Sequence, residues 1–124
     1  HQLQELLVEA KKRQLSHAVW DPDKPGIADE YQKGLYQVLF AHPASAGHGL
    51  TLTKGTATIW ASPTPNLEWF SQGKKRVHRI GQNQATETIV VIAENTRDTA
   101  VFDSLMRKDV KMTSLLEDLT CSAL

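Results

Sequence analysis

Apolar residues recur at helical spacing at the start of the chain and form short continuous runs further along it. Leu3, Leu6, Leu7 and Ala10 lie three or four positions apart, which predicts an amphipathic helix over residues 2–14. Three later runs are continuous rather than alternating, which is typical of strands buried on both faces of a parallel sheet. These runs span residues 38–41, 58–61 and 88–93, and a shorter one spans residues 18–20.

Capping and turn residues predict helices between these runs. Residues 27–34 form a second helix that ends at Gly34, because glycine tolerates the left-handed backbone of a helix C-terminus. Asn66 is a good N-cap for a third helix, which runs to about residue 80 before Gly81 stops it. Thr96 caps a last helix that runs to about residue 118. Strands that alternate with helices predict an α/β fold, and ligand-binding loops are then expected beyond the carboxyl ends of the strands.

Length, charge and cysteine content narrow the class of protein. The 124 residues fit one domain, and 14 basic residues balance 14 acidic ones, so a nucleic-acid contact must come from a local patch. A single cysteine, Cys121, cannot form an internal disulfide, and no apolar run approaches the roughly 18 residues of a membrane span. The histidines His42, His48 and His78 fit no standard zinc spacing. We therefore expect a cytoplasmic, soluble domain without a metal site.

The densest candidate chemistry lies in residues 72–82. On a helix at about 100° per residue, Gln72, Arg76 and Arg79 fall on one face and the apolar residues fall on the opposite one. Two arginines fixed on one face suit a polyphosphate, because each guanidinium is planar, always charged and able to bond two oxygens. Lys74 falls on the apolar side, from which its ammonium reaches out to solvent. A solvated basic face is the alternative interpretation, and composition alone favours it.

The order of residues within this segment carries a family resemblance. Residues 76–82 read Arg-Val-His-Arg-Ile-Gly-Gln, which resembles motif VI of Swi/Snf-like ATPases in helicase superfamily two, and Gln72 matches that motif too. Residues 42–53 resemble motif V of the same family, a glycine-rich loop, and their amino-acid sequence is most similar to that of phage or prophage members. The resemblance covers roughly residues 36–108.

This resemblance implies a three-layer RecA-like C-terminal lobe over residues 1–124, with a mainly parallel sheet that lacks its first strand. It implies a lobe of an ATP-dependent DNA translocase or helicase-like motor that supplies arginine fingers to the cleft between two lobes. The implied partners are a first lobe of the same polypeptide and double-stranded DNA. ATP and Mg²⁺ are then bound mainly by the first lobe, and the isolated fragment is expected to be a monomer without a cofactor. By residue, the implied roles are catalytic for Arg76 and Arg79, ATP-binding for Gln72, Gly47 and Gly49, and DNA-binding for Ser45, Thr51 and Lys74.

Some features depart from the family pattern. The chain contains no G-x-x-x-x-G-K-[ST] loop, and no Asp-Glu box follows a predicted strand, so this chain alone is expected not to hydrolyse ATP. Lys75 stands where an acidic residue is usual, Gly73 where alanine is frequent, and Thr56 where aspartate is common. A non-catalytic interaction domain that keeps the lobe fold is therefore the alternative hypothesis.

Overall fold

Four helices and four short strands make up the secondary structure of the described part of the chain. The computed structural model describes residues 2–45 and 50–122, with side chains as far as residue 116. The elements are α1 (Gln2–Lys12), β1 (His17–Val19), α2 (Gly26–Gln32), β2 (Val38–Phe40), β3 (Ala57–Trp60), α3 (Leu67–Val77), β4 (Glu87–Val90) and α4 (Arg97–Ser122). Helices combined with parallel strands confirm the predicted α/β class, although no helix is described between β2 and β3. No helix among the described residues is long and apolar enough to cross a membrane.

The described strands pair in parallel, as the pattern predicts. β1 pairs with β2, where His17 lies opposite Val38, and β3 pairs with β4, where Ala57 lies opposite Glu87. They form two two-stranded sheets, β1–β2 and β3–β4, rather than one continuous sheet. The sequence marks the β1 region only as a short apolar run. Three residues carry no readable periodicity, and the ladder with β2 is what makes this segment a strand.

The prediction that the strands are buried on both faces is wrong for β3 and β4. Along β3, Thr58 and Trp60 are half-buried, whereas Ile59 keeps 64% of its surface exposed. Ile89, which lies opposite Ile59 on β4, is also exposed. α3 packs against the Trp60 side, where the Trp60 and Phe70 rings lie 5.6 Å apart. The opposite apolar face stays open in the described structure, so continuous apolar runs here belong to a sheet that is covered on one side.

The caps predicted from sequence are confirmed. The Asn66 side chain accepts a hydrogen bond from the Trp69 backbone N–H at 3.1 Å, which satisfies one of the free donors at the start of α3. The Thr96 hydroxyl accepts from the Asp98 N–H at 3.2 Å at the start of α4. Gly34 follows α2 with φ of +83°, the left-handed conformation that glycine adopts without strain.

The core lies between α3, α4 and the β3–β4 sheet. Leu105 on α4 is fully buried, and Phe70 and Val77 on α3 are buried with it. The Lys74 ammonium lies 4.7 Å from the centre of the Phe70 ring and 3.3 Å from a carboxylate oxygen of Asp109. The contact with Asp109 links α3 to α4, whereas the contact with Phe70 lies within α3.

The glycine at position 73, where the family pattern often has alanine, is explained by the close approach of Trp60. A Cβ added to Gly73 would lie 2.9 Å from Cζ2 of the Trp60 ring, which is closer than real Cβ contacts come. The ring also packs on Phe70, so it has little room to move away. The absence of a side chain at this position therefore allows Trp60 to pack flat against α3.

We expect Gly73→Ala to destabilise the chain by about 1 kcal/mol. The gain in helix propensity is about 1 kcal/mol, but overpacking against a fixed ring costs about 1–3 kcal/mol. Urea denaturation of the unchanged chain and of Gly73→Ala measures the change in the free energy of unfolding. In a Trp60→Leu background the same substitution should instead stabilise the chain, because the clash is gone. If Gly73→Ala stabilises the chain in both backgrounds, Trp60 is not the reason for the glycine.

Candidate functional site

The end of α3 meets the segment that leads into β3, and this contact brings the candidate residues together. The Leu52 backbone N–H donates to the Arg76 carbonyl at 2.9 Å, and the Arg79 guanidinium donates to the Leu50 carbonyl at 2.9 Å. Residues 50–52 are part of the motif V segment, so motifs V and VI are in direct contact.

This meeting point differs from the predicted location. The loops beyond the carboxyl ends of the strands were expected to carry the chemistry. α3 leaves the carboxyl end of β3 and runs back along the sheet, because β3 and β4 are parallel and α3 connects them. Its C-terminal end therefore lies near the amino ends of both strands, where the Glu87 N–H donates to the Thr56 carbonyl.

Arg76 is a largely buried residue at the end of α3. Only 7% of its surface is exposed, although the fully buried side-chain nitrogen that lacks a partner among the described residues is Nε1 of Trp60, not a nitrogen of Arg76. Burial lowers the pKa of Arg76, and the positive charge of Arg79 lowers that pKa further. Arg79, by contrast, is exposed and bonds the Leu50 carbonyl. Two neighbouring guanidiniums create a local attraction for an anion with several oxygens.

The predicted shared helical face of Gln72, Arg76 and Arg79 is wrong in its geometry. α3 ends at Val77, and His78 leaves the helix with φ of −95° and ψ of 87°, so Arg79 lies in the turn beyond the helix. Arg79 still lies close enough to Arg76 to affect its pKa. Gln72 remains on α3, where its amide donates to Glu68 one turn earlier at 3.2 Å. Gln72 and Arg76 thus share a face of α3, whereas Arg79 approaches Arg76 from the turn beyond the helix.

The candidate residues of the motif V segment do not all lie at the contact with the arginines. Thr51 is exposed and lies in the segment that contacts the arginines. Ser45 lies in the turn after β2, where its hydroxyl donates to the His42 carbonyl at 3.1 Å. Gly47 and Gly49 lie outside the described residues.

Lys74, the remaining predicted contact to DNA, faces the core side of α3. Its ammonium pairs with Asp109 of α4 at 3.3 Å and lies over the Phe70 ring. This placement confirms the sequence analysis in putting Lys74 on the apolar side. A phosphate would have to compete with Asp109 for this ammonium.

Gln82 has a structural role that sequence reasoning did not assign, although it is part of the quoted signature. Its side-chain Nε2 lies 3.0 Å from three backbone carbonyl oxygens, those of Thr53, Gly55 and Val77, and its two hydrogens are shared among these acceptors. The bond to Val77 ends α3, because it supplies a donor to a carbonyl in the last turn. The other two bonds attach the end of motif V to motif VI.

A second glutamine, Gln32 of α2, holds the same segment and was missed altogether. Its Oε1 accepts from the Lys54 backbone N–H at 2.8 Å, and its Nε2 donates to the Thr53 hydroxyl at 3.0 Å. A glutamine near the end of a short helix carries no local signal for such a role. Only the approach of a segment 21 positions further along the chain creates it.

Gly55 is required where α2 covers the segment. A Cβ at this position would lie 2.5 Å from the Tyr31 hydroxyl, so only glycine fits beneath that ring without displacing it. Burial beside this segment raises the pKa of the Tyr31 hydroxyl.

In the described part of the chain, no group of three or more His, Cys, Asp or Glu side chains is arranged to hold a metal ion.

Comparison with known proteins gives several relatives. No protein-family profile matches the chain. Over 99 residues it is 31% identical to protein p41 of Acyrthosiphon pisum secondary endosymbiont phage 1, covering 75% of this chain and 22% of that protein. It is 27% identical to a SWI/SNF-related matrix-associated actin-dependent regulator of chromatin subfamily A-like protein 1 homolog of Caenorhabditis elegans, covering 86% of this chain and 16% of the relative. It is 29% identical to the DNA annealing helicase and endonuclease ZRANB3 of Bos taurus, covering 84% and 10% respectively.

The fold comparison agrees with these relatives. The crystal structure of the C-terminal part of the Fun30 ATPase domain superposes with a TM-score of 0.76 at 16% identity, covering 83% of this chain and 35% of that one. The chain spans 22% or less of the length of p41 and the two helicase-related proteins, and 35% of the Fun30 structure. The homologues of this chain are SWI/SNF-related helicases, and its fold is that of the C-terminal part of the Fun30 ATPase domain.

Proposed function

We propose that this chain is the C-terminal lobe of an ATP-dependent DNA translocase or helicase-like motor, with Arg76 and Arg79 acting on ATP held between two lobes. The observation that carries the proposal is the largely buried Arg76, which has a second cation, Arg79, close enough to lower its pKa. The chain's relatives include an ATPase domain and a DNA annealing helicase, which supports an ATP-driven function on DNA.

The chemistry fits a phosphoryl group in transfer. A γ-phosphoryl group spreads negative charge over its equatorial oxygens in the transition state, and a preorganised arginine stabilises that charge. Arg76 is preorganised because α3 holds its backbone, and the Leu52 N–H bonds its carbonyl. Arg79 is tied to the Leu50 carbonyl through its side chain, so motif V and this arginine would move together. In this proposal the first lobe holds the magnesium ion that accompanies ATP.

The remaining predicted residues differ in how well their positions suit the proposal. Thr51, exposed beside the arginine-bonded carbonyl of Leu50, is well placed to meet a phosphate of ATP or DNA. Lys74 contacts DNA in this proposal only if its ion pair with Asp109 opens. Gln72 would approach nucleotide after release from Glu68. The DNA role of Ser45 and the ATP roles of Gly47 and Gly49 remain part of the proposal.

Hydrolysis assays with and without a first lobe test this function. The chain alone is expected to show no ATP hydrolysis, because a phosphate-binding loop is absent from its sequence. The two-lobed protein is expected to hydrolyse ATP, with stimulation by duplex DNA. Hydrolysis by the chain alone would contradict the proposal. A two-lobed protein that neither binds nor hydrolyses ATP would instead identify a non-catalytic interaction domain.

A further inference from the structure

Two glutamines from different parts of the chain hold residues 53–55 from two sides. Gln32 of α2 bonds the Lys54 N–H and the Thr53 hydroxyl, and Gln82 of motif VI bonds the carbonyls of Thr53 and Gly55. All four distances lie between 2.8 and 3.0 Å, within the range of good hydrogen bonds. We call this set of contacts the glutamine clamp.

The chemistry of the partners determines how each amide is oriented. Backbone carbonyls only accept hydrogen bonds, so Gln82 must present its NH₂ group to Thr53 and Gly55. Its Oε1 then accepts from the Gln84 N–H at 3.1 Å, which leaves both ends of the amide occupied. Gln32 presents its oxygen to the Lys54 N–H, because a backbone N–H can only donate.

The clamp is connected to both arginines through a single tight turn. The Gly55 N–H donates to the Leu52 carbonyl at 3.0 Å, so the clamped residues and Leu52 form one hydrogen-bonded turn. The Leu52 N–H in turn bonds the Arg76 carbonyl, and the preceding Leu50 carbonyl accepts from Arg79. A shift of residues 53–55 therefore moves the atoms that hold both arginines in place.

We propose that Gln32 and Gln82 are positioning residues, which set the arginine pair by fixing the motif V segment against α2 and motif VI. This inference rests on the proposed function, because the positions of Arg76 and Arg79 matter only if these arginines act on ATP. Neither glutamine touches ATP or DNA in it. An amide is suited to this task because it donates and accepts at once without adding a charge beside two cations.

Amide hydrogen exchange of the whole chain tests the clamp without nucleotide. Gln82→Glu places carboxylate oxygens against carbonyl oxygens, and Gln32→Met removes both bonds from α2. Each is expected to speed exchange of the Leu52 N–H about tenfold, a factor that corresponds to 1.4 kcal/mol. Gln32→Glu should keep Leu52 protected, because the carboxylate still accepts from Lys54 and the Thr53 hydroxyl can turn to donate.

The His78 N–H bonds the Lys74 carbonyl at the end of α3. Its exchange rate distinguishes a clamp on residues 53–55 from a side chain that only caps the helix. Gln32→Met should leave exchange at His78 unchanged while it speeds exchange at Leu52. Gln4→Glu, on the exposed side of α1, is the control for added charge and should change neither. If Leu52 keeps its protection in Gln32→Met and Gln82→Glu, the clamp does not hold the segment and the inference is overturned.

Steady-state kinetics of the two-lobed protein connect the clamp to the arginines. Gln82→Glu and Gln32→Met are expected to lower kcat about tenfold with little change in KM for ATP, because misplaced arginines weaken binding of the transition state alone. Loss of Leu52 protection with an unchanged kcat would overturn the positioning role. Unchanged hydrolysis in Arg76→Ala would overturn the proposed function instead, while the exchange result would still decide whether the clamp exists.

Discussion

Replacing Arg76 with alanine in the two-lobed protein is expected to lower kcat for ATP hydrolysis by about a thousandfold to a hundred-thousandfold. This is the range associated with an arginine finger, and it corresponds to about 4–7 kcal/mol of barrier. The large effect follows from the burial of Arg76, because charge interactions are stronger where water is excluded. Arg76→Lys should recover little of the rate, since an ammonium cannot bond two phosphate oxygens in the same planar geometry.

The same substitution should leave the fold intact, and this separates a functional arginine from a structural one. Arg76→Ala removes a largely buried positive charge that lies beside a second cation, so the free energy of unfolding should hold steady or rise. Arg107→Ala, on the exposed surface of α4, is the control and should change neither kcat nor stability. A normal hydrolysis rate in Arg76→Ala, or a large loss of stability, would remove the arginine from its proposed role.

Leu105→Ala is expected to lower the free energy of unfolding by about 2–5 kcal/mol, the largest stability effect we predict. Leu105 has 0% of its surface exposed, so truncation loses both the burial of its side chain and the packing of its neighbours. Much of the total stability of an ordinary domain, about 5–15 kcal/mol, would be lost. Urea denaturation followed by far-UV circular dichroism measures the change.

Leu115→Ala provides a matched control on the same helix. Leu115 keeps 52% of its surface exposed, and the exchange of leucine for alanine alters helix propensity equally at both sites. Its truncation should change the free energy of unfolding by only a few tenths of a kcal/mol. If both variants lose the same amount of stability, then Leu105 is not at the centre of the core described here.

The position of α3 shows how far local pattern reaches. Its start was predictable, because Asn66 bonds an N–H only three residues later and such capping depends on neighbours in sequence. Its end was predicted three residues too late, because Gln82 and the segment before β3 decide where the helix stops. The error places Arg79 on the helix. The expected proximity of Arg79 to Arg76 is nevertheless found, because the charge of Arg79 lowers the pKa of Arg76.

The sequence by itself determined the helix caps, the α/β class of the fold, and the proximity of Arg76 and Arg79. Each of these depends on residues within a few positions of one another or on a motif with a fixed order. Only the tertiary structure decided that β1 is a strand, that Gly73 makes room for Trp60, and that Gln32 and Gln82 hold one segment. These contacts join residues between 13 and 29 positions apart, and no local period or propensity specifies which distant group meets a given side chain.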